Sequence, residues 1–589
     1  MTVASPLPQP KARSASMSRR HVETACLLGP ALLVLALLFV VPLARLFSLA
    51  FTDPAGPFAT FGVLAESSVY RQVMWNTFVV AVMVTALCVL LAWPVAYVLS
   101  RLEGVWFGIA LYGVLFPFWI SVLVRTFSWM LLLERNGPIN RLLMATGITE
   151  APLALLFNNV GVLVGMIHIL LPYMILPLYG AMVRIDRRLL LASDGLGASL
   201  LDTFRRIYLP LCLPGLAGGA TFVFLLSLGF FITPALLGGP AQTMIGQLVI
   251  EQINSYQNWR MGSALAVLLT LMTMLAVFIC DWLFSLSSAL GGNPAQHAQA
   301  RRRRIGLALV ALLSSFFATC DRLRERYLPF LSLEGFLPVY CWLVIAVLLL
   351  PILAVVPMAF TSSTFLSFPP SGFSFRWFIE YWQSPLWRMA TLRSFGIGLA
   401  TAALTLALAT SAAFATARSK GRISNAAFLT FTAPMIVPQL VIAIAMFYLF
   451  ASMSLVATNL AIILGHTVIA LPIVFVVMVT AFKGHDWRLD EAAATLGGNR
   501  FQVIRRVTLP LVSVSLVVGF ITGFLESFEE LSIVLFVGGG FVTTLPKQLW
   551  DDVFMQVSPT LAAASTVILA IVTLLFLTME ILQRKQPSH

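Results

Sequence analysis

Charge is what this 589-residue chain has least of. Asp, Glu, Lys and Arg together make up 10% of it, against roughly 25% in a soluble domain, while 59% is hydrophobic. That scarcity excludes a water-soluble enzyme and leaves an all-α polytopic membrane protein, its backbone satisfied by helices inside the bilayer. The six cysteines (Cys26, Cys88, Cys212, Cys280, Cys320, Cys341) are scattered, mostly through apolar runs, with no CxxC pair. Neither a disulfide framework nor a metal site is indicated. No GxxxxGK[ST] loop occurs, so nucleotide hydrolysis is not expected of this chain. No clustered catalytic triad or metal-ligand spacing is present either, which disfavours a membrane enzyme. Acid is scarcer than base: 24 Asp and Glu against 37 Lys and Arg, a net charge of +13. In a membrane chain such an excess gathers in cytoplasmic loops and does not call for nucleic acid. No signal peptide is apparent, because Lys11, Arg13, Arg19 and Arg20 lead into an apolar run longer than a signal core.

What is there in abundance is apolar sequence of spanning length. The first half offers six candidate spans, near 25–50, 73–100, 105–133, 156–183, 212–238 and 261–287. The second offers six more, near 337–361, 391–417, 426–453, 459–482, 511–537 and 561–583. This predicts a tail at 1–24, transmembrane domains at 25–287 and 337–583, a linker at 288–336 and a short tail at 584–589. Arg19-Arg20, the run Arg301–Arg304 and Arg584-Lys585 place the N-terminus, the linker and the C-terminus in the cytoplasm. Residues 305–320 are apolar but number only 16 and have arginines on both flanks. They read as an interfacial helix, since a span needs about 20 residues. A true span there would invert the second half.

Between spans four and five each half carries a polar, basic island. Residues 186–211 (DRRLLLASDGLGASLLDTFRRIYLPL) and 486–511 (DWRLDEAAATLGGNRFQVIRRVTLPL) agree at 11 of 26 positions at an offset of 300. Shared residues include Asp186/Asp486, Ala192/Ala492, Gly197/Gly497, Arg205/Arg505, Arg206/Arg506 and Leu209-Pro210/Leu509-Pro510. The same offset relates Gly165/Gly465, Ser227/Ser527 and Gly238-Gly239/Gly538-Gly539; nearer the start of each half, Val41-Pro42 pairs with Val356-Pro357 at 315. The chain thus reads as two homologous six-helix bundles in parallel repeat. In each island the glycine permits a bend, and the proline suits the first turn of the next helix. A basic loop that merely fixes topology explains the arginines but not the repeated Ala, Leu, Gly and Leu-Pro. An exposed bent helix in each half suits a docking knob.

Glu491-Ala492-Ala493, Gly497 and Val507-x-Leu509-Pro510 resemble the EAA loop of importer permeases of the ATP-binding-cassette (ABC) superfamily. The first island is a weaker copy, with Leu191-Ala192-Ser193 where the acid and alanines would stand. The likeness extends to 119–141, 230–265 and 524–563, which resemble the two permeases of polyamine-type importers fused in one chain. The resemblance implies two tandem six-helix bundles of the MetI-like permease type, about 12 transmembrane helices in all. It implies coupling helices at Ala192, Asp194, Gly197, Arg205, Arg206, Glu491, Ala492, Ala493, Gly497, Arg505 and Arg506. It implies an ATPase homodimer using ATP and Mg, an extracytoplasmic solute-binding protein facing loops such as 240–260 and 538–560, and a bacterial inner membrane. It also implies alternating access, with no cofactor on this chain itself. The substrate expected is a small organic cation such as spermidine or putrescine. An amino-acid derivative, an aminophosphonate or ferric iron is the alternative within the class. A secondary transporter with parallel six-helix halves is the alternative outside it, and would not need the EAA-type loop. The missing acid at Leu191 implies unequal coupling contacts, with Asp194 a possible substitute.

Ionisable residues inside spans default to functional hypotheses. Glu526, Glu529 and Glu530 fall at i, i+3 and i+4, which places three carboxylates on one helix face. With Ser527, and Ser227 at the matching place in the first half, they are the candidate substrate pathway; the competing reading is an internal polar contact. Arg125 reads as structural, paired with Glu134 or holding the outer end of its span. Trp129, Trp259 and Trp550 read as interfacial aromatics, and His168 and His466 as packed or hydrogen-bonded.

Overall fold

A computed structural model describes residues 12–198, 203–284, 333–366, 368–419, 421–555 and 558–584, with Ser315 and Thr319 besides. The basic run Arg301–Arg304 and most of 305–320 lie outside the described residues. The described chain is helical, and its one β-type contact is an isolated bridge, Thr361 to Phe373. In the first half the main helices are α1 (Ala12–Leu35), α2 (Val41–Leu49), α3 (Ser68–Leu99), α4 (Gly104–Phe118), α5 (Val122–Leu133), α6 (Asn159–Met182) and α7 (Arg187–Gly195). They continue as α8 (Leu209–Gly229), α9 (Ile232–Leu237), α10 (Ile245–Asn254) and α11 (Trp259–Phe284). The second half has α12 (Leu333–Ala359), α13 (Pro385–Arg418), α14 (Arg422–Thr432), α15 (Gln439–Ser452), α16 (Asn459–Gly484) and α17 (Trp487–Thr495). It ends with α18 (Arg500–Val503), α19 (Ser513–Glu529), α20 (Ser532–Val537), α21 (Leu545–Met555) and α22 (Pro559–Arg584).

Among the described residues nine helices are long and apolar enough to cross a membrane, or twelve if each of three bent pairs is one span. The expected third spans, 105–133 and 426–453, are such pairs. α4 meets the helix after it at 96°, and the helix from Arg422 meets α15 at 88°. Prolines stand at both breaks: Pro117 in the last turn of α4, and Pro438 as the N-cap of α15. The expected fifth spans end early. α8 stops at Gly229 and α19 at Glu529, and the chain turns before the short α9 and α20.

The chain forms two compact units, and neither is one contiguous half. One gathers the described residues of 1–46, 389–548 and 574–589; the other gathers those of 47–388 and 549–573. The first helix of each half is thereby exchanged. In the larger unit α12 packs on α3, α4 and α5 of the first half. A Cβ on Gly113 would meet Ile345 Cγ2 at 2.5 Å, so a glycine is what lets α4 and α12 approach. Tyr340 donates to the Leu91 carbonyl at 3.4 Å, and His168 Nε2 lies 2.9 Å from the Leu348 carbonyl oxygen. In the smaller unit the turn Ala36–Val40 after α1 packs on α15 and α16.

The repeat is visible in hydrogen bonds as well as letters. Thr77 accepts from the Ile245 amide and Ser394 from the Leu545 amide; Asn76 donates to the Thr243 carbonyl and Arg393 to that of Thr543. The guanidinium of Arg101 lies over Tyr97, and that of Arg418 over Phe414. These pairs set α3 against α13 at an offset of 317, while the residues they reach in α10 and α21 keep the offset of 300.

Candidate functional site

The two islands fold alike. Asp186 and Asp486 begin them, each side chain accepting from the amide two residues on, at Arg188 (2.9 Å) and Arg488 (3.0 Å). That satisfies one of the amides a helix start leaves open and explains why the aspartate recurs. Each helix then stops in a left-handed residue, Gly197 at φ +77° and Gly497 at φ +87°, where a side chain would be strained. Leu196 and Leu496 sit at the bends, 87% and 89% exposed. Ala192, Glu491 and Ala492 are exposed, Ala493 half-buried, and Leu191 is also exposed. Exposed apolar knobs of this kind are what a docking surface presents. The side chains of Asp194 and Arg205 lie outside the described part of the structure.

The islands differ in what fastens them. In the first, Ser193 and Thr203 share a buried 2.7 Å hydrogen bond. In the second, Asp490 accepts from Thr508 at 2.5 Å and pairs with His485. Asn499 and Gln502 cap α18 reciprocally, at 2.9 and 3.0 Å. Arg500 pairs with Glu23 of α1. Both islands end in a wider, π-type turn, Phe204–Tyr208 and Ile504–Thr508, from which Arg206, Arg505 and Arg506 reach the surface. Leu209-Pro210 stands in the first turn of α8, as expected, but after Leu509-Pro510 the chain bends by 71° before α19.

The three carboxylates do not share one face. Glu526 and Glu529 lie half-buried on α19, but Glu530 is past its end, with extended φ and ψ of −70° and 126°. Its two oxygens lie 3.0 and 2.9 Å from the amide of Ile533 at the start of α20. His466 of α16 closes a buried cluster. Its Nδ1 lies 2.7 Å from Ser527 Oγ, and its Nε2 is 3.3 Å from Glu530 Oε2, an ion-pair distance without hydrogen-bond alignment. The sequence reading of His466 as packed or hydrogen-bonded did not link it to Ser527 or Glu530, and the first half has Met166 there. Ser227 is buried and donates to its own helix, at the Val223 carbonyl 2.7 Å away.

Arg125 is 1% exposed, with Nη1 3.4 Å from the Ile169 carbonyl oxygen. Trp129 is not interfacial: it is 4% exposed and packs edge-on against His168 at 5.5 Å, because the α4–α5 break turns α5 into the core. Trp259 and Trp550 are half-buried, the latter against Phe231 and Phe554. No group of three or more metal-ligating side chains occurs among the described residues.

A spermidine/putrescine transport system permease protein, PotB of Haemophilus influenzae, is 33% identical over 252 residues, which are 41% of this chain and 88% of that protein. The permease protein PotC of the Escherichia coli spermidine/putrescine system is 26% identical over 243 residues, 41% of this chain and 90% of its own length. A crystal structure of a bacterial alginate ABC transporter, in complex with an alginate pentasaccharide-bound periplasmic protein, aligns at 17% identity with a TM-score of 0.39, covering 45% of this chain and 95% of that one. The model of one family matches twice, over residues 104–289 and 406–586, more than half the chain in all and one match in each half of the repeat. The chain is a multi-pass helical membrane protein and belongs to the family of binding-protein-dependent transport system inner membrane components.

Proposed function

We propose that this chain is a fused pair of permease units of an ABC importer that carries a polyamine such as spermidine or putrescine inward. The observation that carries the reading is the double family match, with a glycine-bent, solvent-exposed helix at the same place in each half. In this reading α7 and α17 each dock one subunit of a separate ATPase homodimer, which binds and hydrolyses ATP with Mg. Leu196 and Leu496 are the apolar contacts; Arg206, Arg505 and Arg506 flank them. Both termini and both knobs face the cytoplasm. A solute-binding protein delivers substrate on the opposite side, near 240–260 and 538–560. The names of the relatives favour a polyamine, and so does chemistry: Glu526 and Glu529 offer two half-buried carboxylates to a cation in a medium where an unpaired charge is costly. Ser527, His466 and Glu530 then act as positioning residues that hold the turn between α19 and α20. In the first half Leu226, Gly229 and Phe230 stand where Glu526, Glu529 and Glu530 do, so the acidic lining is one-sided.

The test is uptake of labelled spermidine into proteoliposomes holding the chain with its ATPase and binding protein. ATP-dependent accumulation is expected, and Glu526→Gln with Glu529→Gln should lower it about tenfold or more while complex assembly is kept, the scale of one lost charge contact. Normal uptake by that variant would remove the carboxylates from the pathway. Uptake of ferric iron or an amino acid instead of spermidine would replace the substrate.

A further inference from the structure

Beneath the second island lies a cavity of about 630 Å³, inside one unit of the structure. Leu406, Thr410 and Phe414 of α13, Phe482 of α16, and Ile504 and Thr508 of the π-type turn line it. A water takes about 30 Å³ and needs polar partners to stay. The lining is almost wholly apolar, so the space suits hydrocarbon instead of a chain of waters. Thr410 Oγ1 is shielded and has no hydrogen-bond partner among the described residues.

The first half shows what normally fills this place. By the register fixed above, Thr410 answers to Trp93, Phe414 to Tyr97, Ile504 to Phe204 and Thr508 to Tyr208. There four rings occupy the space: Trp93 on Phe204 at 5.6 Å, Tyr97 on Tyr208 at 5.8 Å, and Phe204 on Tyr208 at 6.2 Å. The second half replaces three of the four rings by Thr, Ile and Thr. Empty apolar space beside packed walls forfeits the dispersion contacts that rings would supply. Charge marks the mouth. Arg418 stands one turn past Phe414 with its guanidinium 5.4 Å from that ring, and Arg505 follows Ile504 directly. Both are exposed; the nearby acid Glu23, one turn before the lining residue Leu27, is paired with Arg500.

We propose that the cavity seats one acyl chain of an anionic phospholipid, with Arg418 and Arg505 taking its phosphate. The seated chain supplies from the membrane the filling that the first half encodes as rings. Because Thr508 is both wall and hydrogen-bond donor to Asp490, the lipid supports α17 through that residue. The inference does not depend on which substrate is carried, nor on the docking of an ATPase.

The test uses the full chain in detergent, with phosphatidylglycerol and phosphatidylcholine as probes, read by native mass spectrometry and thermal unfolding. The unaltered chain should retain one phosphatidylglycerol in roughly fivefold preference to phosphatidylcholine, the scale of one basic side chain at an anionic surface. Added phosphatidylglycerol should raise its melting temperature. Thr410→Trp with Thr508→Tyr rebuilds the first half's filling; it should hold one lipid fewer and lose the rise. If that variant fails to fold, Arg418→Gln leaves the cavity intact and should weaken the preference, whereas Arg101→Gln, over the filled site, should leave it. Equal retention of the two lipids by the unaltered chain, an unchanged count in the filled variant, or an unchanged preference in Arg418→Gln would each overturn the proposal. So would a melting rise produced by spermidine and not by lipid.

Discussion

The two islands reach one shape by different means. Each begins on an aspartate cap and ends on a left-handed glycine, and each leaves a leucine almost fully exposed. Yet the first is fastened by a neutral hydroxyl pair, Ser193 with Thr203, and the second by Asp490 between Thr508 and His485. The acid that seemed to distinguish them, Glu491 against Leu191, takes part in neither fastening, and both residues face outward. The bend is therefore common property, the anchoring is private to each half, and the missing acid alters only what a partner would touch.

The sharpest way to break this comparison is at the bends. Gly197→Val and Gly497→Val each force a β-branched residue into the left-handed region, at a cost of about 1–2 kcal/mol or more. ATPase stimulation in a reconstituted complex should fall about tenfold for both, and Gly497→Asn should recover much of it, since asparagine tolerates that region. A large loss at one bend only would mean that the halves do not share the device. Next come the anchors. Asp490→Ala strands the Thr508 hydroxyl and His485 and should cost about 1–3 kcal/mol, against about 0.5–1.5 for Ser193→Ala. Hydrogen exchange should quicken over 487–496 in the first variant and less over 187–196 in the second; equal changes would erase the distinction. Smaller still is the contrast inside the spans. Ser527→Ala removes the hydroxyl beside His466 and should lower stability by about 1 kcal/mol. Ser227→Ala removes only a bond to its own helix and should stay within about 0.5, as measured by denaturant unfolding in micelles. The smallest effect on folding belongs to the outward pair. Glu491→Leu and Leu191→Glu should leave the melting temperature unchanged, as exposed substitutions do, while shifting the concentration of ATPase needed for half-maximal assembly in opposite directions.

Helical class, span count and the islands were legible because each rests on local pattern: run length, the 300 offset, and glycine or proline at fixed places. Four things were not. Reading Glu530 onto the face of Glu526 and Glu529 assumed a helix that ends one residue too soon. The aligned Gly229 of the first half, where α8 stops, was the signal that the end was near. His466 joins Ser527 across 61 residues, and no periodicity reports a contact between helices. The exchange of first helices was hidden for the same reason, since an apolar run states how much surface it must bury but not against which neighbour. The breaks that turn Trp129 inward could be suspected from Pro117 and Pro438, but proline inside a span is tolerated too often to decide the matter.

That exchange has a consequence in time. The apolar face of α1 leaves the ribosome early, whereas the residues it packs with begin at 389. At about 5–20 residues per second, some tens of seconds separate the two. Through that interval α1 can be solvated only by lipid or by an insertion factor, and the first half, still without α12, stands with one wall open. Neither unit can close until translation is well into the second half. Fusing the halves makes the late wall arrive on the same polypeptide, at one copy per copy, and turns a wait for a partner of uncertain supply into one set by the length of the message.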